Sequence, residues 1–110
     1  MIIGIGCDIT EIKKFENKDE SFIKWVLSDE ELLLYQKKVG KQKAEFLAGR
    51  FCAKEAIIKA IPKNETMAMP EINIFYKNDK PQCMIDKYKI FISISHEDKY
   101  AISYVIIQKD

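Results

Sequence analysis

Hydrophobic and small or polar positions alternate along residues 2–9. Ile3, Ile5, Cys7 and Ile9 fall on one side of an extended chain, and Ile2, Gly4, Gly6 and Asp8 on the other. A period of two predicts a β-strand. Glycines inside a strand mark close approach by a ligand or another backbone, and here an acid ends the glycine side. From residue 10 to 40 the pattern becomes helical with breaks. Ser21 reads as a cap for the segment carrying Phe22, Ile23, Trp25, Val26 and Leu27. Ser28, with Glu31 three residues later, forms a capping box ahead of Leu32, Leu33, Leu34 and Tyr35. Gly40 reads as a helix stop.

Residues 42–61 have the strongest helical period, with Leu47, Phe51 and Ile58 on one stripe and Pro62 ending the helix. Residues 71–76 and 82–86 read as short strands around the polar turn 77–81. Ile90, Ile92 and Ile94 face one way along 89–95, Phe91, Ser93 and Ser95 the other, and His96 continues the isoleucine side. With a second strand over 100–107, this is a hairpin closed by Glu97, Asp98 and Lys99. The order predicts an α+β fold: one small, mostly antiparallel sheet packed on one long helix.

The chain has 110 residues, 47% hydrophobic and 32% charged, with a net charge of +1. That is a single globular domain over 1–110. The near-neutral balance speaks against nucleic acid as a partner, and no apolar run approaches the ~20 residues of a membrane helix. The first residues carry no basic lead, so no signal peptide is expected and a cytoplasmic location is. Cys7, Cys52 and Cys83 are odd in number and lack metal-site spacing, which predicts buried free thiols.

Four features carry candidate chemistry. Asp8 ends the glycine side of the first strand; its plain reading is a solvated turn residue. Glu55 stands on the Leu47–Phe51–Ile58 stripe, where a carboxylate is costly unless paired or metal-bound. Lys59, four residues on, is the plain partner. Arg50 is the only arginine beside seventeen lysines, and arginine offers a bidentate fork that lysine lacks. His96 is the only histidine. Lys13 and Lys14, like Lys37, Lys38, Lys41 and Lys43, read as solvated basic faces.

Three segments together resemble the holo-(acyl-carrier-protein) synthases, short and trimeric members of the 4′-phosphopantetheinyl transferase family. They are Gly4-Ile5-Gly6-Cys7-Asp8-Ile9-Thr10-Glu11-Ile12, Phe46 to Ala56 with Lys59-Ala60, and Ile92-Ser93-Ile94-Ser95-His96-Glu97 followed by Tyr100-Ala101. The resemblance spans nearly the whole chain. It implies transfer of 4′-phosphopantetheine from coenzyme A to a serine of an apo acyl carrier protein, releasing adenosine 3′,5′-bisphosphate. It implies Mg²⁺ held by Asp8 and Glu55, with Asp8, Glu55 or a metal-bound water as the general base.

By the same resemblance, Arg50, Lys59 and His96 meet the phosphates of coenzyme A, with Lys54 a weaker candidate. A histidine binds phosphate best when protonated. Lys13 and Lys14 match the basic residues that meet the acidic carrier. The family is a homotrimer with active sites between subunits. Two departures stand out: Ile58 where many members have a small polar residue, and Ile61-Pro62-Lys63-Asn64-Glu65 in place of a glycine-rich turn beside the nucleotide. The alternatives are the same chemistry on a different carrier, or a non-catalytic binding module with steep salt dependence.

Overall fold

A computed structural model describes residues 1–65 and 67–109. Strand β1 runs Ile2–Glu11 and is followed by a 3-10 turn, Ile12–Phe15. Helices α1 (Glu20–Val26), α2 (Asp29–Gln36) and α3 (Lys41–Ala60) come next. Strands β2 (Phe75–Lys77), β3 (Lys80–Gln82), β4 (Lys89–His96) and β5 (Tyr100–Gln108) complete the fold. Strands β1, β5 and β4, in that order, form one antiparallel sheet, and β2 and β3 form a separate ribbon. The expected α+β arrangement holds.

Several boundaries differ from the expected ones for local reasons. The strand runs two residues further than residue 9, so the helical stretch starts late. Asp19, not Ser21, caps α1: its carboxylate accepts from the Phe22 N–H at 2.9 Å. Ser28 and Glu31 do form the capping box of α2, at 2.8 and 3.2 Å. The ribbon turns through only two residues, Asn78 (φ 53°) and Asp79 (φ 62°), the left-handed pair that matches strand twist in tight hairpins. The strands expected over 71–76 and 82–86 are instead Phe75–Lys77 and Lys80–Gln82, with a 3-10 turn over Met69–Glu71 ahead of them.

Helix α3 is buried on two opposite sides. Its Ala53, Ala56, Ile57 and Ala60 pack with Val105 and Ile107 of β5 and with Ile90, Ile92 and Ile94 of β4. Its Ala44, Leu47 and Ala48 pack with Ile12, Phe15, Val26, Leu27 and Tyr35. A helix enclosed in this way has no single apolar stripe. The expected stripe is accordingly misplaced: Leu47 is buried, Phe51 is half-buried and Ile58 is exposed.

The glycine side of β1 faces this helix. A Cβ at Gly4 would lie 1.7 Å from the Ala60 carbonyl oxygen, and one at Gly6 would lie 2.0 Å from that of Ala56. The close approach is thus by a backbone, not by a ligand. The isoleucine side is bare. Ile5, Ile106 and Phe91 form one cross-strand row, all exposed, with Ile5 at 71%. Ile9 and Tyr104 extend it. Cys7 lies on this open face, contrary to the expectation of a buried thiol, whereas Cys52 and Cys83 are buried. Burial pushes both of those thiols up to about 12. No helix among the described residues is long and apolar enough to cross a membrane.

Candidate active site

Alternation along β1 turns Asp8 toward α3. The Cys52 thiol donates to its carbonyl oxygen at 3.0 Å, which pins this end of the strand to the helix. The Lys59 ammonium donates to Asp8 Oδ1 at 3.1 Å and to the Cys7 carbonyl oxygen at 3.1 Å. Asp8 holds Lys59 above the usual lysine range, and the charge of Glu55 adds to this. Glu55 lies one turn earlier on the same helix face as Lys59 and is half-buried. The expected Glu55–Lys59 bridge is absent among the described residues; Lys59 pairs with Asp8 instead.

Asp8, Glu55 and Lys59 therefore share one flank of α3. Among the described residues no third metal-ligating side chain joins them. Two hard carboxylate oxygens on a partly open surface suit Mg²⁺, which keeps several waters and commonly takes one or two carboxylates plus substrate phosphate.

The other flank holds a second group. His96 ends β4 half-exposed, its Nδ1 3.8 Å from Glu45 Oε2. His96, Glu45, Phe46, Arg50, Tyr76 and Lys38 line a cleft of about 380 Å³. Arg50 is buried at its base. Its Nε lies 3.3 Å from Glu31 Oε2, and its Nη2 donates to the Ile74 carbonyl oxygen at 3.4 Å. The guanidinium lies 4.2 Å from the Phe46 ring centre and 5.1 Å from that of Tyr76. Burial lowers its pKa while the Glu31 charge opposes the shift.

Lys54 is fully buried. Its ammonium donates to the Val26 carbonyl oxygen at 2.7 Å, to the Met69 carbonyl oxygen at 3.0 Å and to Glu31 Oε1. An ammonium has three donors, so none remains for a ligand. Lys54 is a structural residue rather than a coenzyme A contact. Lys13 and Lys14 are exposed in the 3-10 turn after β1. Lys13 lines a larger cavity of about 1070 Å³ together with Lys18, Lys41, Lys43 and Lys99.

One chain does not unite all of these residues on one phosphate. Arg50 and Lys59 are nine residues apart, so they are separated by about 13 Å along the axis. Arg50 also stands about 140° round the helix from Glu55. Residues 61–65 follow directly on the end of α3, just beyond Lys59. Sequence reading missed Glu31 as more than a cap. The capping box placed it at the start of α2, but nothing in the local pattern signalled that its second oxygen serves Arg50 and the Ile74 N–H.

The sequence profile of the 4′-phosphopantetheinyl transferase superfamily matches residues 4–105. A holo-[acyl-carrier-protein] synthase of Mycoplasma mycoides subsp. mycoides is 46% identical over 111 residues, covering 100% of this chain and 98% of the relative. One from a Geobacillus species is 40% identical over 117 residues, covering 99% and 98%. The crystal structure of a Bacillus anthracis holo-(acyl-carrier-protein) synthase in complex with CoA (3′,5′-ADP) superposes with a TM-score of 0.89 at 30% identity, covering 100% of this chain and 99% of that one.

Proposed function

Because the chain belongs to the 4′-phosphopantetheinyl transferase superfamily, we propose that it transfers 4′-phosphopantetheine from coenzyme A to a serine of apo acyl carrier protein. The Asp8–Glu55–Lys59 constellation carries this reading: two carboxylates and an ammonium on one helix flank are the parts a phosphoryl transfer needs. Asp8 and Glu55 would hold Mg²⁺, which supplies charge neutralisation on the pyrophosphate of coenzyme A.

The chain's own residues do the rest. The serine oxygen attacks the phosphorus attached to pantetheine. The bond from that phosphorus to the bridging oxygen of the 5′-phosphate breaks, and adenosine 3′,5′-bisphosphate leaves. Lys59, kept protonated by Asp8, offsets the charge that builds on the phosphoryl oxygens. Glu55, half-buried and without an ion-pair partner among the described residues, is the group on this chain placed to receive the serine proton. Arg50 and His96 in the second cleft bind the adenosine end, with the 3′-phosphate as their target. Lys13 and Lys14 face the acidic carrier and speed encounter.

The working form is a homotrimer whose sites lie between subunits. Two observations support this. The bare row Ile5–Ile106–Phe91 is an exposed apolar sheet face, of the kind that marks a protein interface. The phosphate-binding candidates also lie on opposite flanks of α3, so a neighbour's His96 flank can complete the Asp8 flank. Cys7 tests this directly. In the native assembly a thiol reagent should leave Cys7 unlabelled; an Ile5→Lys variant should run as a monomer in sedimentation and label at Cys7. A monomeric wild type with fast-labelling Cys7 would refute the assembly.

Intact-mass analysis tests the reaction itself. Apo acyl carrier protein with this protein, coenzyme A and Mg²⁺ should gain the phosphopantetheine mass, and EDTA should abolish the gain. No gain with several apo carriers would overturn the transferase reading.

A further inference from the structure

We propose that Glu31 is a positioning residue that aims Arg50 at the 3′-phosphate of coenzyme A and so sets the preference for coenzyme A over its 3′-dephospho form. This rests on the reading that the Arg50 cleft takes the adenosine end.

Glu31 is a fully buried carboxylate that accepts from three donors and lies at ion-pair distance from a fourth group, Arg50 Nε. Oε1 accepts from the Ser28 N–H at 2.8 Å and from the Lys54 ammonium. Oε2 accepts from the Ile74 N–H at 3.0 Å and lies 3.3 Å from Arg50 Nε. The Ile74 carbonyl oxygen takes Nη2 of the same guanidinium. Nε and Nη2 form the side edge of the planar fork, and that edge is turned into the protein: Nη2 donates to Ile74, and the buried Nε stands at ion-pair distance from Glu31 without forming a hydrogen bond. The end edge, Nη1 with the outer hydrogen of Nη2, is the part left for an anion, and a phosphate accepts such a pair bidentately. The guanidinium also lies over the Phe46 and Tyr76 rings, which restrict its movement.

The same carboxylate fixes the strand that carries Tyr76, through the Ile74 N–H. The cluster holds two cations, Arg50 and Lys54, against one anion, which leaves a net positive charge behind the cleft. Lys54 contacts the other carboxylate oxygen, Oε1, and not the one that faces Arg50. A lysine at position 50 could supply charge but no fixed edge.

The test compares kcat/KM for coenzyme A and for 3′-dephospho-coenzyme A. In the wild type coenzyme A should be strongly preferred. Glu31→Gln should reduce that preference by roughly tenfold, through a raised KM for coenzyme A with kcat nearly kept. Lys54→Met disturbs the same buried cluster but leaves the Glu31–Arg50 contact, so its preference should stay within about twofold of wild type. Adding Glu31→Gln to Arg50→Gln should cause no further loss. An unchanged preference in Glu31→Gln, or an equal loss in Lys54→Met, would overturn the proposal.

A second measurement needs no variant to fold. With one arginine in the chain, its Nε–H NMR signal is assigned without mutagenesis. That proton should exchange slowly with water. Adenosine 3′,5′-bisphosphate should shift the Nη signals while leaving Nε–H slowly exchanging, and adenosine 5′-phosphate should not. Fast Nε–H exchange, or equal shifts with both nucleotides, would overturn the positioning role. Failure of wild-type transfer would instead count against the reaction, and the nucleotide titration would still decide the Arg50 geometry.

Discussion

Two lysines of α3, five residues apart, each hold a carboxylate, in opposite surroundings. Lys54 meets Glu31 in the interior, where every ammonium donor and both carboxylate oxygens are taken. Lys59 meets Asp8 at an open flank, where the side chain of Lys59 is 53% exposed and the carboxylate makes one ion pair. The closed pair cannot exchange partners without opening the core. The open pair can release its carboxylate to another cation at little expense, since exposed ion pairs contribute only ~0–1 kcal/mol. The first pair therefore builds the molecule and the second is available for chemistry.

Breaking the open pair should have the largest effect on activity and almost none on folding. Asp8→Asn, which breaks it, and Glu55→Gln on the same flank should each lower phosphopantetheine transfer ~10³-fold or more, measured by intact mass over time, with a thermal midpoint close to wild type. A large drop in the midpoint would show that this flank is structural as well. Breaking the closed pair should reverse the pattern. Glu31→Ala leaves two buried cations without their counter-charge and should destabilise the fold by ~3–5 kcal/mol in urea titration. A loss below ~1 kcal/mol would mean that the cluster is wetter than its burial indicates.

Alkaline titration sharpens the contrast at Cys52, a buried thiol bonded to the main chain of Asp8. Its thiol has a usual value of 9.0 and is pushed up to about 12 by burial, with the nearby Asp8 charge adding. Between these values the folded state binds more protons than the unfolded state, so this contribution is intact below pH 9 and is lost as pH rises toward 12. The stability gap between wild type and Cys52→Ala should therefore close by up to ~1.4 kcal/mol per pH unit above pH 9. A constant gap would mean that the thiol is not held neutral. The smallest effect belongs to the exposed lysines. Lys13→Ala with Lys14→Ala should raise KM for the carrier only several-fold, and the loss should shrink at high salt.

The same contrast explains what the sequence disclosed. Local signals were legible: the Ser28–Glu31 box, the alternation of β1, the hairpin of β4 and β5, and a helix end just ahead of Pro62. The phase of α3 was not, because burial on two sides erases a single stripe and because Lys54, a polar letter, is among the most deeply buried residues. The glycines of β1 marked a close approach correctly, but Cys7, expected buried, lies on the open side. Isoleucine is the more apolar residue, yet glycine faces the helix because only a missing Cβ lets two backbones approach so closely. Asp8 and Glu55 stood out as acids in odd places. Glu31 did not, since its partners Arg50, Lys54 and Ile74 come from distant parts of the chain.

Gly4 and Gly6 act as a ruler. Each touches a helix carbonyl one turn from the next, at Ala60 and Ala56, so sliding the strand by one residue would drive an isoleucine side chain into the helix backbone. The axial offset of Asp8 from Glu55 is thus set by main chain against main chain, the least compressible contact in a protein. Side chains elsewhere in the core can drift through substitution without moving the two carboxylates apart. Anyone transplanting this pair of acids to another scaffold would have to carry the two glycines with them.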